Sequence, residues 1–275
     1  MVPVRGHSYS FLIFYLGSYL VKIIAIIPAR MNSSRFPGKP MKKIHGIPMI
    51  GHCYFRTSMA SELLETYVAT CDQEIYDYIE SIGGKVIMTS DLHERASDRA
   101  AEAMIKIEVL INYKVDIVVM VQGDEPMVTP EMISQSIQPL KNDLSISIVN
   151  LMAYMKTSDE FEDPNEVKVV VNKNNEAIYF SREAIPSRSK FTGDVPMLKQ
   201  VCVIPFRRDY LLSFNEMEET ILERIESVDM MRIIENGEKV KMVLTHSESF
   251  SVDTEKDLKY VEAKMINDKL IHEYN

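Results

Sequence analysis

Short runs of β-branched and other apolar residues recur along this chain, with room for a helix between one run and the next. Three of them are Lys22–Pro28 (KIIAIIP), Thr66–Thr70 (TYVAT) and Asp116–Val121 (DIVVMV). Each run is too short for a helix, and its composition is typical of strands that are buried on both faces. The runs are therefore predicted to be strands of a mostly parallel sheet, joined by right-handed crossovers.

The segments between the runs have helical periodicity, and the pattern changes after Asn150. Helices are predicted at Met49–Ser58, Gln73–Ile82, Arg99–Asn112, Arg208–Phe214 and Thr220–Asn236, with a last one from Thr254. Further strands are predicted at Lys85–Met88 and Val240–Leu244. A β-hairpin is predicted from Lys168–Asn172 and Ala177–Phe180. The predicted fold class is α/β, a mostly parallel, doubly wound, Rossmann-like sheet with an inserted smaller α+β lobe. Residues 22–265 are expected to form a single domain, in which residues 150–240 contribute the lobe.

The composition restricts the partners and the compartment. The 275 residues carry a formal net charge of −9, whereas a protein that binds nucleic acid needs a basic face to displace counterions. No nucleic-acid partner is expected, although a nucleotide would need only a local cluster of cations. The three cysteines, Cys53, Cys71 and Cys202, have neither an even count nor metal-ligand spacing, which favours buried thiols in the reducing cytoplasm.

Residues 1–21 form an apolar N-terminal extension. Within it, Phe11–Val21 (FLIFYLGSYLV) follows Arg5 and His7, which is a weak imitation of a signal peptide. Lys22 interrupts the run before it reaches the ~20 apolar residues that a membrane span needs, and cleavage there would cut into the first strand. We expect a segment packed on the surface or at a subunit contact, or an upstream start that is not used, rather than a membrane anchor.

The loop after the first strand, Pro28–Pro40 (PARMNSSRFPGKP), concentrates positive charge. Arg30, Arg35 and Lys39 occur there within ten residues, beside small residues that let a ligand approach the backbone. Ligands of open α/β sheets bind at the carboxyl ends of the strands, and these cations suit phosphate oxygens. The loop predicts a nucleotide-binding sheet with a triphosphate site. A solvated basic loop is the alternative, and the residue order excludes a Walker A loop.

Two other segments place a carboxylate where a phosphate site would need a metal ligand. Asp124 follows a predicted buried strand in Gln122–Pro126 (QGDEP), and Asp253 lies in Ser251–Thr254 (SVDT), just before the last helix. Carboxylate oxygens can hold Mg²⁺ against phosphates. The alternatives are an ordinary strand-ending turn for Asp124 and a helix cap formed by Asp253 or Thr254.

The three segments PARxxSxRxPGKP, VQGDEP and VDT, in this order, closely resemble the 3-deoxy-manno-octulosonate (KDO) cytidylyltransferase family, the CMP-KDO synthetases. The resemblance runs from about Lys22 to Leu258 and includes the blocks HERASDRAAE, DPNEVKVV, AIYFSREAIP and NGEK. It implies a nucleotidyltransferase of lipopolysaccharide biosynthesis that transfers CMP from CTP to an acidic sugar and releases pyrophosphate. It also implies Mg²⁺ as cofactor, with two ions, and a cytoplasmic homodimer.

The resemblance implies roles for the residues that match the family's motifs. The positions are Ala29, Arg30, Arg35, Lys39 and Asp72 for the nucleotide, Asp124 and Asp253 for the metal, and Arg99, Gln122, Gln200, Glu223 and Glu226 for the acceptor. Asp124, Asp253, Lys39 and Arg30 would be the catalytic residues. Asp253 would hold metal nearer the acceptor, and Arg99 would pair with the acceptor carboxylate.

Several acceptor positions depart from the family pattern. Arg95–Arg99 (RASDR) stands where the family has Ser-Gly-Thr-Asp/Glu-Arg, so Arg95 adds a cation. Gln200 and Ile204 replace a histidine and a tyrosine of the family. KDO or a close analogue is the expected acceptor. Another nonulosonic or amino-sugar acid is an alternative, and so is a phosphonate, because Arg95 and Arg99 would suit a doubly charged group. A non-catalytic relative is the remaining alternative, against which the five charged groups of the site argue.

Overall fold

The structure, a computed structural model, describes residues 20–32 and 35–274. The prediction for the N-terminal extension, residues 1–21, lies outside the described residues except for Leu20 and Val21. Within the described ranges, no helix is both long and apolar enough to cross a membrane.

The described part of the chain contains twelve strands and nine α-helices. The strands are β1 Ile23–Ala29, β2 Lys43–Ile44, β3 Ile47–Pro48, β4 Glu65–Thr70, β5 Lys85–Met88, β6 Ile117–Val121, β7 Val149–Tyr154, β8 Lys168–Val171, β9 Ala177–Ser181, β10 Leu198–Val201, β11 Val203–Arg207 and β12 Lys241–Leu244. The helices are α1 Met49–Ser58, α2 Gln73–Ser81, α3 Ala96–Ile111, α4 Pro130–Asn142, α5 Ser158–Glu162, α6 Arg208–Glu216, α7 Ile221–Glu226, α8 Met230–Glu235 and α9 Glu255–Met265.

The first sheet has the strand order β11-β6-β1-β4-β5. Strands β6, β1, β4 and β5 are parallel, and only β11 runs antiparallel, along β6. The carboxyl ends of the four parallel strands therefore meet at one edge, which is the edge where ligands of such sheets bind. The predicted α/β class with a mostly parallel, doubly wound sheet is confirmed.

Strand β1 shows why this sheet must be covered on both faces. All seven of its residues are buried. Ile24 and Ile26 pack into the core that contains α3, whereas Ile23, Ala25 and Ile27 face the core that contains α1 and α4. Each fully buried isoleucine contributes roughly 1.5–3 kcal/mol through removal of its apolar surface from water.

The second sheet has the order β12-β7-β10-β8-β9, and all its strands come from residues 149–244. The hairpin predicted around residues 173–176 is confirmed, because β8 and β9 pair antiparallel. Strands β10 and β11 belong to different sheets and are separated only by Cys202. The chain thus passes from the second sheet to the first in one residue.

The single helix predicted over Thr220–Asn236 is wrong. Helix α7 ends at Glu226 because Ser227 adopts a left-handed conformation (φ 52°), which an α-helix cannot continue. Helix α8 then folds back on α7, and the Arg232 guanidinium makes two hydrogen bonds of 2.7 Å to the Glu223 carboxylate.

Helix α9 begins with a reciprocal cap formed by Thr254 and Asp257. The Thr254 hydroxyl accepts a hydrogen bond from the Asp257 backbone N–H (3.3 Å), and the Asp257 carboxylate accepts one from the Thr254 N–H (2.8 Å). This arrangement satisfies N–H groups that a helix start leaves without an intrahelical partner. The cap is thus formed by Thr254, and Asp253 is left to face elsewhere.

We expect Thr254→Ala to lower the free energy of unfolding by about 1 kcal/mol, because it removes the capping hydroxyl. Urea denaturation followed by circular dichroism measures this loss. Lys256→Ala, at an exposed position of the same helix, is the control and should stay within about 0.5 kcal/mol of the parent protein. Equal losses in the two variants would contradict the capping role.

Candidate active site

The loop after β1 is pinned at both of its ends. At its start, the Met31 N–H donates to the Asp72 carboxylate (2.8 Å), and the Gly38 N–H returns to the Met31 carbonyl (3.1 Å). Gly38 has φ 69°, a left-handed conformation that favours glycine. A short 3₁₀ helix, Lys39–Met41, follows it and aims the Lys39 side chain at the sheet edge.

Lys39 joins two carboxylates that are far apart in the sequence. Its ammonium lies 2.8 Å from an Asp124 oxygen and 3.1 Å from an Asp253 oxygen. The Arg35 guanidinium makes a further ion pair of 3.0 Å with Asp253. Burial acts to lower the pKa of Lys39, but the two carboxylates outweigh it and raise that pKa, so the ammonium stays charged.

Close packing behind Asp124 lets these groups meet. A side chain at Gly123 would place its Cβ 3.0 Å from the Pro28 carbonyl oxygen and 3.2 Å from the Ile50 side chain. The turn after β6 can therefore lie directly against the end of β1. From the other side, the Val252 N–H donates to the Asp124 carbonyl (3.0 Å), which brings Asp253 to the same place.

The carboxylate pair is suited to a divalent metal ion. Asp124 Oδ1 is buried and has no hydrogen-bond partner among the described residues, which leaves a charged oxygen in need of a ligand. The described ranges contain no group of three or more potential metal-ligating side chains. Asp124 and Asp253 thus fit Mg²⁺, which proteins often hold through one or two carboxylates while phosphates and waters complete the shell.

A first cavity of about 290 Å³ opens over this edge of the sheet. Eight of the predicted site residues line it: Ala29, Arg30, Arg35, Lys39, Arg99, Gln122, Asp124 and Asp253. Together with Arg95, five cations surround this space against three acidic residues, although the chain as a whole carries a net charge of −9. Its charge suits an anionic ligand such as a triphosphate.

A second cavity of about 150 Å³ adjoins the first and shares Arg35, Gln122, Asp124 and Asp253 with it. Gln200, a predicted acceptor contact, lines this second cavity, and its amide donates to the Asn150 side chain (2.6 Å).

Sequence reasoning missed two charged residues of this second cavity, Arg182 and Asp229. The Arg182 guanidinium donates to the backbone carbonyls of Glu226 (2.7 Å) and Pro164 (2.9 Å), and it forms no ion pair with a carboxylate among the described residues. Arg182 could have been found from the sequence by its position in the block AIYFSREAIP.

The remaining predicted residues lie around the cavities or behind their walls. The Asp72 carboxylate holds the Met31 N–H and does not line the first cavity. Arg99 is buried and donates to the Thr89 hydroxyl (2.5 Å) and the Ser90 carbonyl (3.1 Å) while lining the first cavity. Arg95 is surrounded by acids, with Glu219 at 2.5 Å and Asp229 at 3.5 Å.

Two predicted acceptor contacts are placed differently. The buried Glu223 carboxylate is engaged by Arg232, and Glu226 accepts hydrogen bonds from the Tyr179 hydroxyl (3.1 Å) and the Arg182 N–H (2.8 Å). Neither glutamate lines the first or the second cavity. In this structure the two carboxylates lie behind the cavity wall, and their contact with an acceptor stays a prediction.

Comparison with known proteins identifies the family. A family model described as cytidylyltransferase matches residues 24–240. The 3-deoxy-manno-octulosonate cytidylyltransferase of Geobacter metallireducens is 42% identical over 255 residues, covering 89% of this chain and 98% of that protein. The protein of the same name from Thermodesulfovibrio yellowstonii is 41% identical, covering 87% of this chain and 96% of its own length.

Solved structures agree with the sequence relatives. A CMP:2-keto-3-deoxy-manno-octonic acid synthetase complexed with CTP matches with a TM-score of 0.80 and 35% identity, covering 89% of this chain and 98% of that one. A 4-diphosphocytidyl-2C-methyl-D-erythritol synthase from Anaerococcus prevotii, at 14% identity and a TM-score of 0.60, shows a likeness of fold alone. The chain therefore belongs to the 3-deoxy-manno-octulosonate cytidylyltransferase family and is a nucleotidyltransferase.

Proposed function

We propose that this enzyme transfers CMP from CTP to KDO or a close analogue, depends on Mg²⁺, and releases pyrophosphate. The observation that carries the proposal is the meeting of Lys39, Asp124 and Asp253 at the wall shared by two cavities. The first cavity would take the triphosphate of CTP and the second the acceptor. The relatives' names and the CTP complex of the similar structure support both substrates.

The reaction requires positioning and charge neutralisation more than covalent help from the protein. An acceptor hydroxyl loses its proton to water, and its oxygen forms a new bond to the α-phosphorus while the bond from that phosphorus to the pyrophosphate oxygen breaks. Arg30, Arg35 and Lys39 would bind the phosphate oxygens and neutralise the departing pyrophosphate. Asp124 and Asp253 would hold Mg²⁺, as two ions, which supplies further charge neutralisation and lowers the pKa of the attacking hydroxyl.

The cations that line the two cavities favour a carboxylate over a phosphonate on the acceptor. Arg95, which lines the first cavity and would serve a doubly charged group, is already surrounded by Glu219, Glu223 and Asp229. In the second cavity, Arg182 has no ion pair with a carboxylate among the described residues. Arg182 can therefore match one carboxylate, so KDO remains the first candidate and another sugar acid with a single carboxylate the second.

We further propose that the enzyme acts in the cytoplasm as a homodimer. The family resemblance supports the homodimer, and the three cysteines, all free thiols, fit a reducing compartment. Size-exclusion chromatography with light scattering would test the dimer.

Asp124→Asn and Asp253→Asn should each lower kcat at least about 100-fold, because each removes a charge that would hold Mg²⁺. Pyrophosphate release, coupled to pyrophosphatase, should require CTP rather than ATP, GTP or UTP. The control is Asp209→Asn, whose side chain is 88% exposed. Near-normal turnover in both site variants, or equal use of all four nucleotides, would exclude this function.

Lys39→Met should make the stability of the free protein depend on Mg²⁺. Without the ammonium, Asp124 and Asp253 repel each other, so Tm in EDTA should fall by a few degrees for a loss of about 1 kcal/mol. Added Mg²⁺ should raise Tm more in this variant than in the parent protein. Thermal unfolding with and without the metal measures both effects, and an equal response to Mg²⁺ in the two proteins would oppose the metal assignment.

Arg182→Gln should raise KM for KDO about tenfold or more and leave KM for CTP within about twofold, since a charge-assisted hydrogen bond contributes ~1.5–3 kcal/mol. Arg188→Gln, an exposed arginine paired with Glu162, is the matched control. The same assay should compare KDO, its amino analogue, sialic-acid-like sugars and simple phosphonates. Preferential use of a phosphonate would replace KDO as the acceptor.

A further inference from the structure

Glu125 is a fully buried carboxylate that directly follows Asp124 and points away from the first and second cavities. It is 3% exposed and borders a small cavity of about 40 Å³, which shares part of its wall with the second cavity. One of its oxygens accepts a hydrogen bond from the Ser249 hydroxyl, and the other accepts one from the Cys202 backbone N–H (3.3 Å). Burial, and next the charge of Asp124, raise the pKa of Glu125 to about 7.

A buried carboxylate beside another one is costly for a folded protein. Burial penalises the charge, and the charge of Asp124 adds more to the penalty than the charge of Lys199 removes. An apolar side chain of similar size would often be as stable or more so. Stability of the fold therefore does not explain why a carboxylate stands at position 125. The two hydrogen bonds of Glu125 indicate that it positions its partners instead.

The bond to Ser249 acts on the loop that carries Asp253. This loop, Thr245–Thr254, is attached at its start by the Thr245 N–H to the Met152 carbonyl (2.8 Å) and at its end by the cap of α9. Between these ends it is tied to two consecutive residues: Ser249 to the Glu125 side chain, and the Val252 N–H to the Asp124 carbonyl. The segment that presents Asp253 is thus fixed to the segment that presents Asp124.

We propose that Glu125, linked through Ser249, is a positioning residue that sets where the Asp253 carboxylate stands relative to the Asp124 carboxylate. The inference rests on the proposed function, because it assigns the two aspartates to one metal–nucleotide complex. Glu125 touches neither substrate and acts through the loop. Its second hydrogen bond, from the Cys202 N–H, holds the wall of the second cavity. Ser249→Ala removes the first bond and keeps the second, so it separates the effect on Asp253 from any effect on that wall.

Ser249→Ala should lower kcat about tenfold or more, because a displacement of about 1 Å in a reacting group can cost up to about 100-fold. KM for KDO should stay within about twofold, since the bond to Cys202 is kept. Independently of turnover, electron paramagnetic resonance of free Mn²⁺ should show the Mn²⁺ affinity of the CTP-bound protein about fivefold weaker. Ser249→Thr keeps the hydroxyl and should restore both quantities.

Ser136→Ala is the matched control for loss of a buried serine. Ser136 is fully buried in α4, where its hydroxyl donates to the Ile133 carbonyl (2.7 Å). This variant should keep kcat and Mn²⁺ affinity within about twofold of the parent protein, while its Tm reports the cost of losing a buried hydroxyl. Unchanged kcat and unchanged Mn²⁺ affinity in Ser249→Ala would overturn the positioning role.

A double-mutant cycle distinguishes positioning from general destabilisation. If Ser249 acts through Asp253, the kcat effect of Ser249→Ala should vanish in the Asp253→Asn background, measured by single turnover at high enzyme concentration. Full additivity of the two effects would overturn the proposal. Near-normal turnover by both Asp253→Asn and Asp124→Asn would instead defeat the proposed function, so the two failures are told apart.

Discussion

The Asp124 and Asp253 carboxylates repel each other, and they can stand together because cations lie between and beside them. Lys39 contacts both, and Arg35 contacts the second. The contacts require a particular path of the loop after β1, set by Gly38 in a left-handed conformation and by the bond from Met31 to Asp72. Three segments that are distant in sequence therefore depend on one another, and the cations of the loop after β1 also hold the two acidic residues in place.

This mutual neutralisation also explains how an acidic protein can attract an acidic substrate. The excess of negative charge lies elsewhere on the molecule, while the first cavity gathers five cations against three acids. Field lines concentrate in such a cleft, which raises the local concentration of an anion. Because Lys39 and Arg35 are already paired with carboxylates, incoming phosphates would exchange one set of anionic partners for another and would not meet bare charges.

The sequence predicted the features that local chemistry determines. β1 and β6 were predictable because their apolar runs admit only a buried strand, and Asp124 because it follows such a run directly. The break at Ser227 was missed because nothing in LERIESVDMM opposes a continuous helix, whereas the pairing of Arg232 with Glu223 does. β10 (LKQV) and the positions of Arg182 and Glu125 were missed for a related reason: they depend on partners that only tertiary folding brings near.

The single residue between β10 and β11 has a mechanical consequence. Cys202 donates its N–H to Glu125, and its carbonyl accepts from the Gln122 N–H (3.0 Å), so the corner between the sheets is held on both sides of the Asp124 turn. A hinge needs a connection whose backbone angles can change freely. At this corner the connection is one residue long, and its N–H and carbonyl are both held by hydrogen bonds. We therefore expect the two sheets to move as one body, so that any enclosure of the substrates would come from loops around the rim.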